Sequence, residues 1–324
     1  MGAETFEDRI DRLVNIDIGG RGVEALYRAA RGKLGRSLVG AAAEALLAVP
    51  EGATVLVTTG SVSRAWVSPA IGENDGPAGL AAVARALTLS RRAIPVLIAE
   101  NSLLSPIGQI LTSAGLSIVT MEEAKRTTQP GGRLAVAVLR DYPLEDAAGL
   151  AAAAPLLDEL RPALVFSTER VGRNAQGIYC NMRGVDFGHG RARVDHVFDE
   201  ALRRGIPSVA VGDGGNEIGM GLVPEAVQRN VPHGERIGAV TSADVLVTAA
   251  CSNWGCYGIV AAMAKRLGDP ALMHTPELEE RLLLRGAAIG LINSVDGIID
   301  PNVDGIPLSA HKAVVELIRT IARP

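Results

Sequence analysis

Between Gly212 and Gly221 the chain reads Gly-Asp-Gly-Gly-Asn-Glu-Ile-Gly-Met-Gly, which gathers Asp213, Asn216 and Glu217 among glycines that let backbone N–H groups approach an anion closely. Carboxylates presented this way can move protons or hold a hard cation, and an amide beside them can orient a polar ligand. The block is not a nucleotide loop. A P-loop would require Lys followed by Ser or Thr after Gly219, where Met220 and Gly221 stand, and GxGxxG is absent, so no nucleotide cofactor is expected. The structural alternative is a tight strand-to-helix turn with Asp213 as the cap, but a cap needs one polar residue rather than three.

A second polar stretch begins at Glu169-Arg170 and runs through Arg173, Asn174, Tyr179, Asn181, Met182 and Arg183 with glycines at 172, 177 and 184. Guanidinium forks bind carboxylates in a bidentate way, so Arg170 and Arg183 suit a ligand with acidic groups; a surface salt-bridge network is the competing account. The five histidines, at 189, 196, 233, 274 and 311, form no metal-binding spacing. His311 stands apart because it follows a tail turn, Val303-Asp304-Gly305, that could fold over the site; its ordinary pKa of ~6.5 would suit a proton donor. Hard oxygen ligands are the more plausible metal set, with Asp213, Glu217 and Asp304 as candidates for Mg²⁺ or Mn²⁺. Cys180, Cys251 and Cys256 make neither a CxxC pair nor a Cys-His arrangement and are expected to be reduced, buried thiols.

These residues need a scaffold, and the chain alternates short β-branched runs, polar or Gly-containing loops and amphipathic helices, the rhythm of βαβ units. Strands are predicted over 54–58, 94–99, 117–119, 134–139, 163–167, 207–211 and 245–248, with helices over 77–90, 145–160, 194–204 and 257–267 and two more within 22–49, divided near Gly32 and Gly35. The fold class is α/β: a mostly parallel doubly wound sheet with helices on both faces and a C-terminal packing tail. One domain over 1–324 is expected, with N-terminal helices in 1–50, a sheet core in 51–290, and a tail in 291–324 whose last helix opens at Ser309. In such sheets the ligand crevice lies beyond the carboxyl ends of the strands. Thr58-Thr59-Gly60-Ser61, Glu100-Asn101, Thr168-Glu169-Arg170, the Gly212–Gly221 block and Cys251-Ser252-Asn253-Trp254-Gly255 all follow predicted strands.

Composition agrees. Hydrophobic residues are 48 % and aromatics only 3 % of 324, so an aliphatic core is available and stacking platforms for nucleic acid are not. A net charge of −4 without a basic run also argues against nucleic acid. No apolar run reaches the ~18 residues of a membrane span. The opening Met1-Gly2-Ala3-Glu4-Thr5-Phe6 is acidic and fits neither a secretory h-region nor a myristoylation site, so a cytoplasmic protein is expected.

Taken in order, Thr58-Thr59-Gly60, Asp75-Gly76-Pro77, Glu169-Arg170, Asn181-Met182-Arg183, the Gly212–Gly221 block, Ser252-Asn253-Trp254-Gly255, and Val303-Asp304-Gly305 with Pro307 and His311 resemble the D-glutamate cyclase family, in the C-terminal cyclase domain of its vertebrate members. The resemblance implies a hydro-lyase that closes D-glutamate, or a closely related acidic amino acid, to 5-oxo-D-proline with help from Mn²⁺. It implies Asp213, Glu217, Glu169 and His311 as catalytic groups. Thr59, Gly60, Arg170, Asn181, Arg183, Gly214, Gly215, Asn216 and Asn253 would then contact the substrate. Asp213 or Glu217 would take the amine proton, Arg170 or Arg183 would anchor the α-carboxylate, Asn181 or Asn253 would orient the amine, and a metal ion or the Gly214 and Gly215 amides would meet the oxyanion. The expected partners are the small acidic substrate and a second copy of the chain in a homodimer. Competing functions are a metal-dependent hydrolase or lyase on a related lactam or small acid, and a non-catalytic protein that binds an acidic metabolite.

Overall fold

Aliphatic runs covered on both sides make the sheet of the computed structural model, which describes residues 4–323; the reading of Met1-Gly2-Ala3 lies outside them. The chain enters through α1 (Phe6–Val14), α2 (Val23–Leu34) and α3 (Leu38–Leu47), then runs β1 (Thr54–Thr59), α4 (Pro77–Arg91), β2 (Ile94–Ala99), α5 (Asn101–Ser113), β3 (Ser117–Ile118), α6 (Met121–Thr127), β4 (Val136–Asp141), α7 (Asp146–Leu160), β5 (Leu164–Thr168) and α8 (Asp195–Arg203). It continues with β6 (Ser208–Gly212), α9 (Pro224–Asn230), α10 (Gly234–Ile237), β7 (Val245–Thr248), α11 (Ser252–Leu267), α12 (Pro276–Ala288) and α13 (Leu308–Ala322). The strands are all parallel, in the order β3-β4-β2-β1-β5-β6-β7. The α/β reading therefore holds.

Successive strand residues point to opposite faces, and here both faces are apolar. Val55, Val57, Leu164 and Phe166 join the larger core under α1–α5 and α11–α13, while Leu56, Val165, Val96 and Ile98 join a second core under α6, α7 and α8. The tail helix α13 packs on α12, α11 and α1. No helix among the described residues is long and apolar enough to cross a membrane.

Most predicted boundaries fall within a residue or two. The strand expected over 134–139 lies two residues later, because Arg140 and Asp141 continue the ladder against Ile98 and Ala99 at its partly exposed end. The tail helix begins at Leu308 with Pro307 in the cap position rather than at Ser309. The helix expected from Tyr257 starts at Ser252, which moves Ser252-Asn253-Trp254-Gly255 from a loop into the first turn of α11. Strand order reverses between β1 and β5: connections from β1 run toward β2 and β4, and those from β5 run toward β6 and β7. A crevice at such a reversal is where α/β sheets take ligands.

Candidate active site

The loop after β1 delivers Glu73 and Asp75, the loop after β5 delivers Glu169, the loop after β6 delivers Asp213, Asn216 and Glu217, and the tail turn delivers Asp304. A cavity of about 480 Å³ opens over them, floored by Glu73, Glu169, Asp213, Glu217 and Asp304 and edged by Arg21, Arg64 and Arg183. Trp66, Asn181, Met182 and Asn216 complete much of its wall. Asp213 belongs to two carboxylate triads, Asp75-Asp213-Asp304 and Glu169-Asp213-Glu217, in each of which one oxygen per residue lies within 4.8 Å of the others.

Local chemistry fixes each acid. Glu217 reaches back to its own loop, where Oε1 accepts the Gly214 N–H and Oε2 the Gly215 N–H, both at 2.8 Å. Glu169 stands at φ 52°, a left-handed conformation uncommon for a side chain of its size, and accepts a 2.6 Å hydrogen bond from the Ser252 hydroxyl. Glu73 accepts from the Ser61 hydroxyl at 3.0 Å. Asp75 and Asn253 cap each other's helices. The Asp75 carboxylate accepts the N–H groups of Ser252 and Asn253 at the start of α11, and Asn253 Oδ1 accepts those of Gly76 and Gly79 at the start of α4. Gly76, at φ 94°, and Gly79 make this possible, since a Cβ would fall 2.5 Å from Thr59 Oγ1 at the first and 2.9 Å from Asn253 at the second.

Like charges crowded out of water resist ionisation. Burial, and then the Asp304 charge, push Glu73 up to about 8 and Asp75 up to about 7. Burial with Asp75 and Glu217 drives Glu169 well above the carboxylate range, and burial with Glu169 and Asp304 does the same to Asp213. Asp304 goes the other way: burial alone would raise it, but the Arg21 guanidinium and hydrogen bonds from Arg21, Asp213 and Ser294 hold it below its ordinary value. The site thus contains carboxyls pushed apart in acidity, the condition under which one gives a proton and another takes it.

Several predicted residues are brought to this cavity: Asp213, Glu217, Glu169, Asn181, Arg183, Asn216 and Asp304 all touch it. Asn181 keeps its Oδ1 for the N–H groups of Arg183 and Val185, and Arg183 has no carboxylate partner among the described residues. Asp213 does not cap a following helix, since the next one begins only at Pro224. The proposed metal trio Asp213, Glu217 and Asp304 is divided between the two triads that meet at Asp213.

Other expectations are corrected. Arg170 is fully buried behind the site, with Nη2 2.6 Å from Glu100 and 2.7 Å from the Ala192 carbonyl and Nη1 donating to Gly60 O. Its fork is spent on the scaffold. Asn253 is spent on the α4 cap, and the Gly214 and Gly215 amides are spent on Glu217, so none of the three is free for a ligand. Thr59 and Gly60 lie under the cavity rather than on it. His311 is also off the cavity: its Nδ1 accepts the Trp254 indole N–H at 2.8 Å, Glu279 lies 3.9 Å away, and burial keeps its pKa below the ordinary value against the pull of Glu279. A neutral ring committed to Trp254 is no proton donor to a ligand. Sequence reasoning missed Arg21, Glu73 and Arg64. Arg21 sits in Gly19-Gly20-Arg21-Gly22 and Glu73 in Glu73-Asn74-Asp75-Gly76, both polar runs with glycine immediately before a helix, the one signal that could have found them.

The family model described as D-glutamate cyclase-like, C-terminal, matches residues 10–319. The human protein named D-glutamate cyclase, mitochondrial, is 28 % identical over 96 % of this chain and 50 % of its own length, so the chain spans about half of that curated relative. Every element that feeds the acidic cavity, from the Arg21 loop to the Asp304 turn, lies inside the matched span. The chain belongs to the D-glutamate cyclase family.

Proposed function

We propose that this protein is a lyase that closes D-glutamate to 5-oxo-D-proline with loss of water. The observation that carries the reading is the cavity itself, acidic at its floor and arginine-lined at its edge, which matches a molecule bearing one ammonium and two carboxylates. In the closure the amine nitrogen bonds to the carbon of the γ-carboxyl group, two protons leave the ammonium, and two join one oxygen of that carboxyl, which departs as water. Asp213 is the group to accept the amine proton, for it belongs to both acid triads and the Arg21 guanidinium, 3.3 Å away, favours its charged form. Glu169, whose pKa is raised by burial and the nearby Asp75 and Glu217 charges and which is fixed by Ser252, supplies a proton to the departing oxygen. Glu217, locked by two backbone amides, orients the amine, and Arg183 with Arg64 holds the carboxylates.

The carboxylate oxygens also fit a hard divalent cation, since an ion would relieve the repulsion that raises the pKa of Asp75, Glu169 and Asp213. Asp75, Asp213 and Asp304, or Glu169, Asp213 and Glu217, would hold Mn²⁺ or Mg²⁺, which supplies positive charge to polarise the γ-carboxyl. D-Glutamate carrying ¹⁸O in both γ-oxygens tests the reaction. The expected outcome is 5-oxo-D-proline with one label in the ring carbonyl and the second label in water; absence of product with and without Mn²⁺ would reject it.

A further inference from the structure

Five carboxylates, Glu73, Glu169, Asp213, Glu217 and Asp304, line the cavity floor and Asp75 joins two of them in a triad, yet among the described residues only one side chain forms ion pairs with any of the six. Arg21 Nη1 lies 2.7 Å from Asp304 Oδ2 and 3.3 Å from Asp213 Oδ2, and Nη2 faces the Asp304 carbonyl at 3.4 Å. Both acids are shared with the Asp75-Asp213-Asp304 triad. The guanidinium therefore already occupies a cation's place between two of the three members. All three line the cavity, the Arg21 side chain being 25 % exposed against 4 % for Asp213 and 7 % for Asp304, so an ion bound between these carboxylates would take the place that Arg21 holds.

The backbone that carries Arg21 is held independently of the acids that its side chain binds. Asp17 accepts the N–H groups of Arg21 and Gly22 at 2.9 and 2.8 Å, and Gly22, at φ 86°, lies so close to Asn230 that a Cβ would sit 2.6 Å from its carbonyl oxygen. All the side-chain bonds of Arg21 go to Asp213 and Asp304. The tether fixes the effective concentration of the guanidinium at the acids, and rotation about its long side chain is enough to release them.

We propose that Arg21 is a tethered counter-cation that occupies the Asp213–Asp304 position in the ligand-free protein and is displaced from it when a divalent cation binds there. The inference rests on the divalent-cation part of the function proposed above. Two positive charges cannot share this position at a few ångströms, so Arg21 weakens cation binding and thereby limits the site to ions that outcompete a guanidinium.

Titration of Mn²⁺ alone into the metal-stripped full chain, followed by calorimetry and by loss of the free-ion paramagnetic resonance signal, reads this without turnover. Arg21→Gln is expected to bind Mn²⁺ about tenfold or more tightly than the wild type. Arg21→Lys, which keeps the charge, is expected to remain within about threefold of the wild type, which separates charge from any loss of packing. Thermal unfolding in chelator confirms that each variant is folded; if Arg21→Gln is not, Arg21→Met takes its place in the comparison. Equal or weaker Mn²⁺ binding by a folded, neutral variant while the wild type binds overturns the role of Arg21 alone. Absence of Mn²⁺ binding by wild type and variants together overturns it along with the divalent-cation reading.

Discussion

Asp213 is the one carboxylate that belongs to both triads and touches Arg21 as well, so its replacement should be felt more than that of any neighbour. Asp213→Asn keeps the shape and removes the basicity. Turnover of D-glutamate is expected to fall by about 10²–10⁴-fold with the unfolding transition preserved, because that is what a positioned general base contributes; a loss of less than tenfold would reduce Asp213 to a scaffold residue. Glu217 gives a different signature. Its two oxygens each accept a backbone N–H, and Glu217→Gln would turn an amide donor toward Gly214 or Gly215. The expected cost is about 1–3 kcal/mol of stability in denaturant unfolding together with lost activity. Full stability in the Gln variant would show that the Gly212–Gly221 loop does not depend on this contact.

At the scale of elements, the site is assembled by helix starts and loops that brace one another. Arg170 ties the β5 loop to Glu100 at the start of α5 and to the carbonyls of Gly60 and Ala192. Arg170→Met is therefore expected to destabilise the protein by about 3–5 kcal/mol by leaving the buried Glu100 carboxylate without its ion-pair partner. Chemical unfolding measures that loss, and KM for the residual folded enzyme should change little. A raised KM with unchanged stability would return Arg170 to the ligand. The strands and seven of the thirteen α-helices among the described residues were legible in the sequence because their signal is local: β-branched runs such as Ile94–Ala99 and Val245–Thr248 end at polar loops. The Gly212–Gly221 block was legible because three polar side chains and several glycines stand together. What was not legible depended on distant partners. The early start of α11 is secured by Asp75, 177 and 178 positions away, and the fork of Arg170 turns inward toward Glu100 although its loop resembles a ligand loop. Arg21 gains its meaning only from Asp213 and Asp304, 192 and 283 positions along the chain.

For the whole molecule, the buried acids couple folding to pH. Glu73 and Asp75 titrate near 4.5 and 3.8 ordinarily but near 8 and 7 in the fold, so across this interval the native chain keeps protons that the unfolded chain has released. Their contribution to stability is complete below about pH 4, declines as pH rises, and is gone by about pH 8. Melting temperature in chelator is expected to fall between about pH 5 and 8, with a shallower fall in Glu73→Gln; a steady rise over that interval would contradict the assignment. The central claim is a single chemical one, that this acidic cavity closes D-glutamate. It is tested most directly by the rates of 5-oxoproline formation from D-glutamate and L-glutamate, resolved by chiral chromatography, for wild type and Asp213→Asn side by side with and without Mn²⁺. The account predicts 5-oxo-D-proline from the D-isomer, little product from the L-isomer, and a rate near background in the variant; no product from D-glutamate, or equal rates for wild type and variant, would contradict it.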